Sequence, residues 1–491
     1  MRYLIKNGSI VDPARRVATV GDVLVTDGVV EQVLDLTDLH PERSLVGDDV
    51  EVINARGSVV APGFTDLHTH LREPGEEHKE TLATGTLAAA AGGFTTVCAM
   101  PTTYPATDTP AVVRHVQQLA GRDSRIRVEV IGALTQGREG KALADLFELA
   151  EAGCLAFSDG GRSIADAGLM RNALAYASAV GLPVMTHCED PRLTVGWAMH
   201  EGVVSTRLGL PGFPAVAEES IIARDIALAE LVGAHLHISH VSTAKGVALI
   251  RAAKERGAHL TAEVTPHHLT LTDRWVMGSL VPHEQVEAPP ARKGRRNPHP
   301  ELGQPSWLNP ALLPPYDPST RVRPPLRTQD DIDALIEGLR DGTIDAIASG
   351  HTPQSRVEKE CEYALAAPGI SSLETALALV LTLVHRGEMD LVNLVAKLTE
   401  GPAQVLGRSP ATLRPGSRAD LVIFDPEVYW TVDAANFVSR GHNTPLQGQR
   451  LKGQVMLTMS GGQIVFRRGN FGRGHRSQPA PSRLEGIFDA E

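Results

Sequence analysis

The sequence predicts an α/β fold: a closed (β/α)8 barrel carrying a small β-sandwich domain built from both termini. Three observations predict it. Apolar strand-like runs alternate with helix-like stretches through the middle of the chain. Both ends are rich in β-branched residues broken by NG and DG, which are hairpin signals. Histidines stand where several of the strand-like runs stop.

Taken in order, RYLIKNGSIVD, GDVLVTDGVVEQV and DVEVINA read as short strands over residues 1–56, the first part of the β domain. The run VVAPGFTDLHTH then opens the barrel as its first strand. TTVCAM, RVEVIGAL, CLAFSD, PVMTHCED, HLHISHVS, LTAEVTP and DAIASGH supply seven more. Helix-like stretches lie between them, among them ATGTLAAAAGG, DLFELAEAG, LMRNALAYASAVG, EESIIARDIALAELVG and KGVALIRAAKERG. The barrel is expected over 57–412, with its chemistry at the strand C-terminal ends. A proline-dense insertion at about 278–315, holding RKGRR at Arg292–Arg296, reads as a surface loop, a lid or a partner contact. From about Arg414 to Val465 the β-rich texture returns, giving a second part of the β domain at 413–470. The tail at 471–491 is expected to be disordered.

Composition limits the function classes. The chain has 491 residues, 42% hydrophobic and 21% charged, which is ordinary for a globular protein too long for one simple core. A formal charge of −11 argues against a nucleic-acid binder. The N-terminus has no signal-peptide pattern and no run is long enough for a membrane span, so a cytoplasmic protein is expected. Cys98, Cys154, Cys188 and Cys361 lack CxxC spacing and read as reduced thiols.

The chemistry begins at FTDLHTHLREPG. His68 and His70 flank one residue, so on a strand both imidazoles point to the same face. His187 ends VMTH, His240 ends HISH and Asp159 ends LAFSD. Neutral imidazoles at one barrel mouth suit zinc and similar ions, and two adjacent metals would share Asp159 as a bridge. Arg72 offers a planar fork for a substrate carboxylate; the competing reading is an ion pair with Glu73 or Glu76. His235, His237, His267 and His268 are expected to pack or hydrogen-bond rather than to serve the site.

These motifs resemble the dihydroorotases of the amidohydrolase superfamily. The likeness runs from APGFTDLHTHLREPG and GFTTVCAMPTTYPATD through THCED, SHVST, EVTPHHL, PPLRTQDDIDALIEGLRDGTIDAIASGH, GISSLET and RPGSRADLVIFDP to HNTPLQG. It covers nearly the whole chain. The resemblance implies a TIM-like barrel, one or two Zn2+ per chain, and reversible hydrolysis of dihydroorotate to carbamoyl aspartate in pyrimidine synthesis. It implies that His68, His70, His187 and His240 are metal histidines. Asp159 stands for the carboxylated lysine of related hydrolases, and Arg72 holds the substrate carboxylate. Thr102, Arg323, Gln354 and Gly369 fall at substrate-facing positions. A homo-oligomer acting on a small carboxylate substrate is expected.

The sequence departs from the family pattern at four places. Gly350 replaces an aspartate that binds metal and moves the proton, and Gln354 replaces a histidine. Thr102 and Arg323 replace asparagines. A missing general base costs on the order of 10²–10⁴ in rate. Asp345 lies about 16 Å back along an extended strand, too far to substitute; Glu358 and Glu360 follow in the next loop. Three functions stay open: a dihydroorotase with an unusual base, a hydrolase of another cyclic amide, or a silent subunit beside an aspartate carbamoyltransferase.

Overall fold

The computed structural model describes residues 1–35, 50–281 and 308–472, so most of the proline-dense insertion with RKGRR, and residues 473–491, lie outside the described residues. The chain opens with β1 (Arg2–Asp12), β2 (Val17–Thr26), β3 (Val29–Asp35), β4 (Val50–Asn54) and β5 (Val59–Pro62). Asp27–Gly28 turns β2 into β3, with both residues at positive φ as an NG or DG hairpin demands.

The barrel follows. Its strands are β6 (Phe64–Thr69), β7 (Phe94–Ala99), β8 (Arg127–Gly132), β9 (Ala156–Phe157), β10 (Val184–His187), β13 (Leu236–Ser239), β14 (Leu260–Val264) and β15 (Ala346–Ile347), hydrogen-bonded in that spatial order and all parallel. A small pair, β11 (Met199–His200) and β12 (Gly212–Phe213), sits in the loop after β10. The barrel closes where Thr69 bridges His351, and where the backbone N–H of Ser349 donates to Asp66 at 2.6 Å. Helices alternate with the strands: α1 (Leu82–Ala91), α2 (Pro110–Asp123), α3 (Leu146–Glu151), α4 (Ala167–Ala179), α6 (Val216–Val232), α7 (Ala244–Glu255), α8 (Gln329–Arg340) and α10 (Leu373–His385), with short α5 (Val203–Leu208) and α9 (Arg356–Lys359) in loops. The barrel interior is packed rather than open: Leu67, Cys98, Ile131, Ala156, Met185 and Ala346 meet Val405 of α11 (Leu391–Val405).

The chain ends with β16 (Leu421–Thr431), β17 (Arg450–Ser460) and β18 (Gln463–Arg467). These join the first strands in the order β18-β17-β16-β5-β1-β2-β3, with β4 on β1. By hydrogen bonding this is one continuous eight-stranded sheet drawn from both ends. Ile5, Val23, Ile53, Leu421, Ile423 and Leu457 share one apolar cluster, which ties the two ends together. The run VVAPGFTDLHTH is not one strand. Its first part, β5, pairs with β1 and β16 in the terminal sheet; only β6, beyond Gly63, enters the barrel.

Candidate active site at the barrel mouth

β6 carries His68 and delivers His70 one residue past its end. Its register against β7 shifts between Asp66 and Thr69, an irregularity of the kind that re-aims side chains near active sites. The rings of His68 and His70 lie 5.3 Å apart, His68 and His240 4.6 Å, and His187 and His240 5.0 Å. Strand ends far apart in sequence thus bring the four expected imidazoles together. His240 sits at φ +40 after β13, a left-handed conformation rare for a side-chain-bearing residue and concentrated at functional sites. Glu218 of α6 fixes the turn that follows, accepting from the backbone N–H groups of Ser242 and Thr243 at 2.9 and 3.1 Å.

His70 and His187 are each hydrogen-bonded at one ring nitrogen, whereas His68 Nδ1 faces the Glu263 carboxylate without a hydrogen bond. His68 Nδ1 lies 3.3 Å from Glu263, His70 Nδ1 2.5 Å from the Thr102 hydroxyl, and His187 Nε2 3.0 Å from Glu189. The buried Nδ1 atoms of His187 and His240 have no hydrogen-bond partner. Burial pulls His70 and His240 well below the usual imidazole range and lowers His187, so the neutral, ligating form prevails. A ring held at one nitrogen by a carboxylate or hydroxyl and open at the other is how metal-binding histidines are oriented. The donor chemistry of these rings therefore suits a metal. Asp159 is placed differently: one oxygen accepts from the backbone of Leu134 and Thr135 at 2.9 and 3.0 Å, the other from the Thr135 hydroxyl at 2.5 Å. Among the described residues it makes no ion pair with the four imidazoles, and no group of three or more His, Cys, Asp or Glu side chains is arranged to hold a metal ion.

A cavity of about 480 Å3 opens above these rings, and Arg72, Thr102, Arg323, Gln354 and Gly369 all line it, as does Gly350. Arg72, itself at φ +63, gives Nη1 to Glu76 at 3.0 Å and Nε and Nη2 to the Pro353 carbonyl. The ion pair with Glu76 is real, and the guanidinium still has N–H groups to offer. Arg323 is not free: Nε and Nη2 each lie 2.6 Å from Glu189. Gln354 donates Nε2 to the Pro368 carbonyl, while its buried Oε1 has no partner.

Gly350 sits at φ +62, and a Cβ there would stand 2.9 Å from Thr265 Cγ2 and 3.3 Å from His267 Cε1. His267 departs from its expected packing role, since it lines the cavity and its buried Nδ1 has no partner. His235 and His237 hydrogen-bond Thr261 and His268 hydrogen-bonds Thr265, while His237 Nε2 lies 3.3 Å from Glu263. Glu358 pairs with Lys79 and Glu360 with Arg356, so neither lines the cavity. Asp345 is held by Lys254 and the Ala262 backbone at the far end of its strand.

Sequence reasoning missed Glu263, Glu189 and Arg138. The first had a signal, an acid inside the wholly buried run LTAEV; Glu189 stood two residues beyond a candidate ligand. Arg138, in the loop after β8, had none.

The fold is a (β/α)8 barrel, with the candidate site at the C-terminal ends of its strands. An L-hydantoinase (dihydropyrimidinase) from Arthrobacter aurescens superposes with a TM-score of 0.75 at 24% identity, covering 95% of this chain and 96% of that one. A Dihydro-orotase-like family profile matches residues 57–246. Curated dihydroorotases from Pelotomaculum thermopropionicum and Anaeromyxobacter dehalogenans are each 45% identical over 467 and 469 residues, covering 95% and 96% of this chain and 99% of each relative. The chain belongs to the dihydroorotase family.

Proposed function

We propose that this chain binds dihydroorotate at the barrel mouth and opens its ring reversibly to N-carbamoyl-aspartate, slowly, as a zinc-dependent cyclic amidohydrolase. The observation that supports the reading is the convergence of four imidazoles, two of them, His70 and His187, hydrogen-bonded at one ring nitrogen. His68, His70, His187, His240 and Asp159 would hold one or two zinc ions. Zinc supplies Lewis-acid polarisation of the ring carbonyl. Arg72 offers N–H groups to the substrate carboxylate, Thr102 holds the His70 ring in place, and Glu263 and Glu189 orient His68 and His187.

Proton transfer is the weak step. Among the described residues lining the cavity Glu76 is the only carboxylate, and it is paired with Arg72 and Lys79. That same observation favours a second reading, a catalytically silent subunit that retains binding and assembles with an aspartate carbamoyltransferase. A homo-oligomer suits either reading, and no helix of the described residues is long and apolar enough to cross a membrane.

The test is ring opening and closure by the zinc-loaded protein beside a variant with His68→Ala and His70→Ala. Turnover abolished by the double change and by a chelator supports the enzyme. A wild type without turnover that co-purifies with a carbamoyltransferase supports the silent subunit.

A further inference from the structure

The carboxylates and imidazoles that line the cavity, among the described residues, are Glu76, His68, His70, His240 and His267. Glu76 is held by Arg72 and Lys79. His68, His70 and His240 belong to the candidate metal set. His267 alone is uncommitted. Its Nδ1 is buried without a hydrogen-bond partner, and its Nε2 makes no hydrogen bond among the described residues. A buried polar side chain left unbonded is costly, so an imidazole kept in that state beside a cavity has its natural partner in what fills the cavity.

The surroundings hold the ring in place. His267 stands three residues past the end of β14, and its carbonyl accepts from the Leu271 backbone N–H at 2.9 Å. Its ring packs 4.7 Å from that of His268, which is pinned at both nitrogens, 2.7 Å from the Thr265 hydroxyl and 3.1 Å from the Pro324 carbonyl. Gly350 decides what the ring faces. A Cβ there would stand 3.3 Å from His267 Cε1, the carbon between the two ring nitrogens. The glycine therefore leaves that ring edge uncovered, toward the position where the acid is missing. Burial pulls His267 well below the usual imidazole range, so the resting ring is neutral and has a lone pair to offer.

We infer that His267 is the proton carrier of this site and does the work of the absent acid at 350. In ring opening, the oxygen of the attacking water bonds to the ring carbonyl carbon as one of its O–H bonds breaks, and that proton passes to His267 Nε2. The C–N bond then breaks with its electron pair going to nitrogen, and His267 returns the proton to that nitrogen. The new carboxylic acid releases the water's other proton to solvent. Ring closure reverses these transfers. A base weakened by burial fits slow turnover. The inference rests on the proposed hydrolysis of dihydroorotate.

Steady-state kinetics of the zinc-loaded protein with L-dihydroorotate test it in His267→Gln and His267→Ala, with zinc content and ligand affinity measured alongside. Both variants should lose on the order of 10²-fold or more in kcat while zinc content and affinity stay within about threefold of wild type. Added imidazoles should restore turnover to His267→Ala, and more strongly the more basic the imidazole, which a packing role would not produce. Should His267→Ala fail to fold, the split between kcat and affinity in His267→Gln decides. A kcat within about threefold of wild type, a loss shared by affinity, or a loss in folded His267→Ala that imidazoles leave unchanged overturns the inference and leaves the proposed function standing. A wild type without turnover overturns both.

Discussion

Restoring an acid at position 350 is the obvious repair, and the structure says that Gly350→Asp alone is a poor one. The residue sits at φ +62, where a non-glycine residue costs about 1 kcal/mol, aspartate being among the better tolerated. The new Cβ would stand 2.9 Å from Thr265 Cγ2, a methyl that is itself buried. Overpacking of this size costs about 1–2 kcal/mol. The single variant should therefore lose about 2–3 kcal/mol, or about 2–4 °C in Tm for a chain of this length. Thr265→Ser removes the offending methyl and keeps Oγ1, which lies 2.7 Å from His268 Nδ1. In the Gly350→Asp background it should recover about half of the loss, whereas in wild type it costs roughly a methyl's burial, about 1 kcal/mol. Scanning calorimetry of the four proteins gives the coupling directly. A single variant as stable as wild type, or a double variant no better than the single, refutes the packing argument. The double variant is accordingly the fair test of restored proton transfer, with a gain on the order of 10²–10⁴ in turnover.

Two further outcomes follow from buried carboxylates. Glu263 is fully buried with its oxygens 3.3 Å from His68 and from His237; burial alone would raise it, but the two imidazoles hold it at about 2. Glu263→Gln should weaken zinc binding on the order of 10–100-fold in a chelator competition, and unchanged affinity would mean that it does not orient His68. Burial lifts Glu374 from 4.5 to about 7, although Val438 and Ser439 donate backbone N–H groups to it. Between those pH values the folded protein retains a proton that the unfolded chain has released, so Glu374's contribution to stability falls as pH rises from about 4.5 to 7 and is level above. The stability difference between wild type and Glu374→Gln should change over that window; a constant difference across it would contradict the shift.

The barrel was legible because alternation and strand-end histidines are local signals. Each of His68, His187 and His240 closes an apolar run, and the fold brings them within ring-contact distance. The split of VVAPGFTDLHTH was not legible, since β5 and β6 are both wholly or nearly buried and read as one run although they serve different sheets. Nor were the partners that decide chemistry. Glu189 lies 134 residues before Arg323, and no spacing rule joins them. Arg138 sits in a GREG turn whose composition reads as solvent-facing, and only the return of Asp159 and Arg162 against it places it at the site.

Gly350 is held from both sides by contacts that ignore it. Ser349 is bound to Asp66 through its backbone and hydroxyl, and His351 lies 3.4 Å from Glu80 and accepts from the Ser372 backbone at 3.2 Å. Thr352 donates its hydroxyl back to the Gly350 carbonyl at 3.0 Å. The loop's path is thus set by its neighbours, and a residue without a side chain leaves the barrel mouth intact. What vanishes is the carboxylate alone. In this pocket Arg72, the candidate carboxylate holder, follows β6, whereas a base at 350 would follow β15. The candidate binding group and the missing base thus belong to different strand ends, so loss of the base leaves the binding group in place. An assay of turnover alone reads only the missing base, and a protein that binds its ligand without turning it over would have this same geometry.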